Sequence, residues 1–222
     1  MPDLFLNGGI NVAKHKHQPT MNVVPKQDSQ VLTPEFGNAR IISGVLDWII
    51  GGVFSGLPAV LFWAILGHSS KPMTSMYLFE SSGFSRTTTV SVALLCLLFG
   101  FVYYVVIPWR VWPGQTLGKH WMHIQIVRRD HKPLTLSTLV VRNFIFLVLI
   151  EGIDTATSTY LKVIITTLSR FYVDSYMTII WSVITIVSMI FVFFGSKHLA
   201  LHDLAVDTVV VRQPVLKEEV SI

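Results

Sequence analysis

Charge is what this sequence has least of. Only 14% of its 222 residues are Asp, Glu, Lys or Arg, against 51% hydrophobic, and its mean hydropathy is +0.57. A chain so poor in charge cannot clothe an ordinary soluble domain. There is a single cysteine, Cys96, so no internal disulfide can form and the compartment must be read from topology. No nucleophile elbow, zinc-protease helix or dinucleotide fingerprint is present, nor any convergent acid, base and nucleophile, which argues against an enzyme. Internal repeats and inverted half-to-half similarity are also missing, so one domain suffices. No cleavable signal is expected at the start, where the first 40 residues are polar, with Pro19, Pro25, Pro34 and a "KHKH" tract.

What the chain does have is long apolar runs. Ile41 to Leu66, Thr87 to Trp109 and Ser175 to Ser196 are each long enough to cross roughly 30 Å of hydrocarbon at about 1.5 Å per residue. A fourth, Leu134 to Ile153, is interrupted by Arg142 and Glu151. Basic residues argue for counting it. With four spans, 13 of the 17 Lys and Arg residues fall on one side, leaving Lys71, Arg86, Lys162 and Arg170 on the other, and the basic side is the cytoplasmic one. The expected fold is an all-α integral membrane protein with four transmembrane helices and a small cytoplasmic β-element. Residues 1–36 should be a flexible cytoplasmic tail, 37–212 the membrane domain and 213–222 a short tail, with both termini cytoplasmic and the protein in the cell membrane. The formal charge of +4 sits beside apolar spans, so anionic lipid headgroups rather than nucleic acid are the expected partner.

Between the spans, Trp63, Trp109 and Trp112 fall near span ends, where amphipathic rings favour the headgroup level. The stretch "YLKVIITTLSRFYV" after the third span suits a surface helix or strand in the outer interface. The loop "WPGQTLGKHWMHIQIVRRDHKPLTL" contains a β-branched "IQIV", and a second such run, Thr208 to Val211, follows the last span. An unpaired strand leaves backbone groups unsatisfied, so Ile124 to Val127 should pair with Val209 to Val211.

The sharpest question is posed by "RIISGVLDWIIGG", in which Asp47 lies within an apolar run. A carboxylate at a helix centre costs about 2.5 to 3.5 kcal/mol even on the permissive insertion scale, so it needs a partner or a proton. Arg40 shares its helix face but lies roughly 10 Å away along the axis. Arg142, equally deep in the third span, is the expected partner for Asp47. Arg40 should snorkel to the surface and meet Asp203. Such a cluster either fixes helix register or exchanges a proton for a cation. Glu151 is expected near the outer end of its span, solvated.

"GQTLGK" departs from the phosphate loop: Gly114 and Gly118 are one residue too close and His120 replaces the magnesium-holding hydroxyl. Its glycines suit a tight turn, with Lys119 reaching a phosphate headgroup or Asp203. His120 with His123, and His198 with His202, have metal-compatible spacing. They flank the membrane without an H-E-x-x-H motif, however, and no metal or other cofactor is assigned.

Taken together, Arg40, Asp47, the "GQTLGK" loop, Arg142, and "HD" followed by a "TVVV" strand resemble the RDD family of multi-pass membrane proteins over roughly Phe36 to Arg212. The resemblance matches Arg40, Asp47 and Asp203 to the arginine and two aspartates of the family's name. It implies a membrane protein for which transport has been proposed, with monovalent cation/proton exchange attributed to some members. The chain departs from the pattern at His123 and His131, where glycine is expected, and at Asp207, where a small residue is. Two functions remain open: transport by cation/proton exchange centred on Asp47, in a homo-oligomer or larger membrane complex because four helices make a thin wall, or a non-catalytic scaffold that recruits a partner or lipid.

Overall fold

A computed structural model describes residues 33–35, 37–66, 72–152 and 155–213. Most of the expected tails, 1–36 and 213–222, lie outside these residues. Three helices are long and apolar enough to cross a membrane: α1 (Asn38–Leu66), α3 (Arg86–Val111) and α7 (Asp174–Phe194). A bent pair, α5 (Leu136–Glu151) and α6 (Ala156–Ser169), makes a fourth span when taken together, with a 63° angle at the break. Short helices α2 (Leu78–Ser81), α4 (Leu117–Trp121) and α8 (Leu201–Ala205) lie between or after them, with strands β1 (Ile124–Arg128) and β2 (Thr208–Arg212).

The packing follows from where the small residues fall. On α1 the buried positions recur every fourth residue: Ala39, Ser43, Asp47, Gly51, Ser55, Ala59 and Trp63. This seam lets neighbouring backbones approach, which is how membrane helices gain van der Waals contact. Ile42, Val45, Ile49, Val53 and Val60, on the rest of the helix, are exposed and face the lipid region. On α7, Trp181, Thr185, Ser188 and Val192 repeat the pattern. Asp47 is therefore placed inward by the same periodicity that sends its aliphatic neighbours outward.

The break in the third span sits halfway up the bundle. Thr185, near the middle of α7, donates to the backbone oxygen of Glu151 (2.8 Å), and Thr157, just past the break, donates to Ser55 near the middle of α1 (3.0 Å). From there α6 rises along α3, with Val163 in one core cluster with Ala93, Cys96 and Trp63. The segment expected to lie in an interface is thus the packed second half of a span. Its apolar residues match those of α3 and α1 better than they match a headgroup layer. Trp63 is likewise packed inside, stacked on Phe79 with ring centroids 5.5 Å apart.

The part of α3 nearest the sheet, Val102–Val111, and most of α5, Val140–Glu151 up to the break, are wound as π-helix. The wider turn directs consecutive side chains inward, so Tyr103 and Tyr104 are both buried, as are Arg142 and Asn143. Such winding is rare and concentrates at functional sites. After α7 the chain doubles back into the bundle: Leu201 N donates to Ser188 Oγ (3.1 Å), which carries α8 alongside the inner face of α7.

The strands pair antiparallel as the sequence predicts, with Gln125 opposite Val211, Ile126 opposite Val210 and Val127 opposite Val209. Glu35 N bonds to Val210 O (2.8 Å) and Ile126 N to Gly114 O (2.8 Å) on the two outer edges. His123, His131 and Asp207 take left-handed φ of 52°, 57° and 52°. That is the backbone region glycine favours and His and Asp tolerate, which accounts for the small residues expected there.

At Gly100 an added Cβ would collide with the Thr157 side chain, so the start of α6 packs directly on the α3 backbone at mid-height. Gly100→Val should destabilise the purified protein by about 1–3 kcal/mol, read as a lowered melting temperature in detergent. An unchanged melting temperature would mean the two halves are not packed as described.

Candidate functional site

Among the described residues three acids are fully or nearly fully buried in the bundle, each with its own set of donors. Asp47 is 4% exposed. Tyr103 Oη (2.8 Å) and Gly118 N (2.9 Å) donate to its Oδ1, and Thr116 Oγ1 (2.5 Å) and Lys119 Nζ (3.0 Å) to its Oδ2. Four donors on two oxygens leave the carboxylate well satisfied, and one of them carries the neutralising charge. Tyr104 Oη also donates to the Asp47 backbone oxygen (2.9 Å).

The expected pairing of Asp47 with Arg142 is therefore wrong. Its partner is Lys119, and the "GQTLGK" loop wraps round this carboxylate instead of pairing with Asp203. Gly118 makes the approach possible, because a Cβ there would stand 2.5 Å from Ser43 O and 2.8 Å from Asp47 Oδ1. Gly114, with φ of 76°, supplies the turn that brings the loop back over α1. A glycine-rich loop ending in lysine does cradle an anion here, and the anion is the protein's own side chain.

Arg142, 1% exposed, turns instead to Asp203, which is 0% exposed. Its Nη2 and Nε donate to Asp203 Oδ1 (2.5 and 3.1 Å). Arg40 Nη2 donates to Oδ2 (2.5 Å), as the sequence predicts for that pair. Asp203, at the third position of α8, also accepts from Ala200 N (3.3 Å) and so caps its own helix. Burial by itself would raise the Asp203 carboxyl, but the guanidinium of Arg142, followed by that of Arg40, outweighs it and holds the group well below the usual carboxylate range.

Arg142 Nη1 donates to Asn143 Oδ1 (2.7 Å) and Asn143 Nδ2 to the Tyr104 backbone oxygen (2.7 Å). Because Tyr104 also holds Asp47, one hydrogen-bonded path joins the two acids.

The third acid, Glu151, is 0% exposed and lies at the break, not solvated near a span end. His202 N donates to its Oε1 (3.1 Å), and His202 Nδ1 is 3.0 Å from both carboxylate oxygens. When the carboxylate is ionised it only accepts, and Nδ1 is then the donor. His202 Nε2 is 3.9 Å from Asp203 Oδ2, which places the imidazole between two acids. The expectation for Glu151 failed because the doubled-back course of α8 brings a histidine into the bundle, an arrangement with no local signal in the third span.

The other histidines have separate partners. His120 Nδ1 bonds to Gln115 Oε1 (3.2 Å) and its ring stacks on Trp112, while His198 Nδ1 bonds to Val192 O (2.8 Å). His123 holds a turn, with its backbone oxygen accepting from Gln213 N (2.8 Å). Among the described residues no group of three or more His, Cys, Asp or Glu is placed to hold a metal ion. Tyr103, Tyr104, Thr116, Asn143 and Thr208 belong to the network and were not singled out from the sequence. The adjacent tyrosines in an otherwise aliphatic span, and an asparagine beside the intramembrane arginine, were the available signals.

A family model described as the RDD family matches residues 37–207, most of the chain and, apart from Thr208, all of this network. A search of curated proteins found no match, and a search of solved structures found none.

Asp203→Asn leaves Arg142 buried with its charge uncompensated and should cost about 3–5 kcal/mol, measured as a loss of melting temperature and of monodisperse protein. Because the folded carboxyl is depressed, its stabilisation is complete above the ordinary range near about pH 4 and is lost as pH falls through that range toward the folded value. Between about pH 5 and about pH 3 the wild type should therefore lose melting temperature more steeply than Asp203→Asn. Equal slopes would mean that Asp203 is not the depressed acid.

Proposed function

The chain belongs to the RDD family of membrane proteins, and on that premise we propose that it takes part in proton-coupled transport, monovalent cation/proton exchange being the concrete form. The observation that carries this is the partner of Glu151. Asp203 is neutralised by two guanidiniums, which stay charged at any physiological pH, and Asp47 by a lysine and three further donors. Glu151 has an imidazole, the side chain type whose charge changes near neutrality. A protonation step at this pair alters the local charge by one unit without dismantling the arginine centre.

Location supports the same reading. Intramembrane acids mark proton and ion pathways by default, and broken helices near mid-membrane are where transporters place their sites. Glu151 meets both conditions. A crevice lined by Arg40, Lys119 and His202 among others reaches the imidazole from outside the bundle, so His202 is the relay between the crevice and the buried acid. Arg40, Arg142, Asp203 and Asp47 then set the register of the helices that hold the pair.

The protein works without covalent catalysis and sits in the cell membrane, with the basic sheet end and both termini on the cytoplasmic side. The thin wall of four helices is completed by a homo-oligomer or a larger membrane complex.

Reconstitution into proteoliposomes enclosing a pH-sensitive dye tests this, with sodium, potassium or lithium added outside. Wild type should give a cation-driven pH change, and Glu151→Gln should reduce it at least tenfold while remaining folded. Asp47→Asn should lose thermal stability yet keep its rate per folded molecule. No signal from folded wild type with any of the three cations would overturn the proposal and favour the membrane scaffold. Loss confined to Asp47→Asn would move the ionisable centre back to Asp47.

A further inference from the structure

Between α1 and α7 runs a half-open crevice of about 360 Å³, a volume within the range of ligand-binding cavities. Its two ends differ in chemistry. At the end nearest the sheet the charged and titratable side chains lining it are Arg40, Lys119, Arg142 and His202, with no carboxylate among the lining residues. Asp203 and Asp47, which neutralise these cations, are buried on their far side. Away from that end the walls are Trp48 of α1 and Met189 and Phe193 of α7, all of them 44–51% exposed on the lipid-facing surface.

The cations retain hydrogen-bonding capacity. Arg40 commits Nη2 to Asp203, while its Nη1 is buried with no hydrogen-bond partner. Lys119 Nζ gives two of its three donors to Asp47 and Thr116. A buried guanidinium nitrogen without an acceptor is costly, and an anionic oxygen delivered into the crevice would relieve it.

We infer that this crevice is a binding site for a single membrane lipid with an anionic headgroup, its phosphate against Arg40 and Lys119 and the upper part of one acyl chain along Trp48 and Phe193. The geometry fits the membrane. Arg40 stands in the first turn of α1, and Trp48 lies about 12 Å further along the axis, the separation of a headgroup from the first part of its chain. Zwitterionic lipids bring their own cation against a lining that holds cations and no carboxylate, and a free phosphate ion makes no use of the apolar wall. The inference shares this crevice with the proton-coupling proposal but does not rest on it: it stands on the lining cations and the apolar wall, and its readout is lipid affinity rather than proton movement.

Gly44 offers a clean way to close the site: it lines the crevice, and a Cβ added there meets nothing within 4 Å. The full-length protein, delipidated in detergent, is titrated with phosphatidylglycerol, phosphatidylcholine or inorganic phosphate and followed by native mass spectrometry. Wild type should bind one phosphatidylglycerol at least tenfold more tightly than phosphatidylcholine, and Gly44→Phe should lose that preference. Arg40→Lys, which keeps a cation beside Asp203 but removes Nη1, should weaken phosphatidylglycerol at least threefold and serves if Gly44→Phe does not fold. Equal affinity for the two lipids overturns the inference, as does phosphate binding as tightly as phosphatidylglycerol, or full retention of the preference in the folded variants.

Discussion

A full negative charge deep in a membrane protein must meet a positive one, and the pairing of Asp203 with Arg142 and Arg40 is where this molecule satisfies that demand most completely. The three charges come from three separate parts of the chain: the first turn of α1, the π-wound part of α5, and α8 after the last span. Holding them together requires the C-terminal segment to double back beside α7, and that course in turn brings β2 to β1 and His202 to Glu151. Remove the aspartate and the buried Arg142 guanidinium is left facing that of Arg40 with no anion between them. Asp203 therefore acts as the clasp that closes the chain on itself, and the depression of its carboxyl expresses the same energy in terms of protons.

Asp47 solves the same electrostatic problem by other means. Here the neutralising loop is local to the sheet end and the donors are mixed: a phenol, a hydroxyl, an amide and an ammonium. Distributing the charge over four hydrogen bonds is what backbone anion sites do for phosphate, and the likeness of "GQTLGK" to a phosphate loop has that physical basis. The two acids communicate through Asn143 and Tyr104, so the register of α1 against α3 is tied to the register of α5. The third acid has an imidazole as its hydrogen-bond partner, and it sits where the helix is broken. Rigid ion pairs at the sheet end and a titratable pair at mid-height are different devices, and the proposed division of labour between structure and proton movement follows from that difference.

How far the sequence reached can be seen residue by residue. The spans, the antiparallel pairing of "IQIV" with "TVVV" and the Arg40–Asp203 pair were legible, since hydropathy, β-branching and helix length are local properties whose consequences are nearly forced in lipid. That Asp47 needs a partner inside the bundle was legible too, from the cost of a carboxylate among lipid chains. Its partner was not. Depth along two separate helices suggested Arg142, but equal depth does not fix which faces meet, and the loop after α3 folds in to reach the carboxylate first. The stretch from Tyr160 to Val173 was read as interfacial because its hydropathy is moderate. Its place against α3 depends on contacts with Gly100 and Ala93 that no pattern in the stretch itself announces.

The sequence by itself determined that this chain lives in a membrane, how many times it can cross, and that it carries charges which must be paired inside. These follow from the cost of exposing polar groups to hydrocarbon, which acts on every residue wherever it lies in the fold. Tertiary structure alone decided which cation answers which acid, that Glu151 meets His202, and that α1 and α7 part to leave a crevice beside the cations. Those outcomes depend on how widened turns and a doubled-back segment orient side chains from distant parts of the chain, and a difference of one helical face is enough to exchange one partner for another.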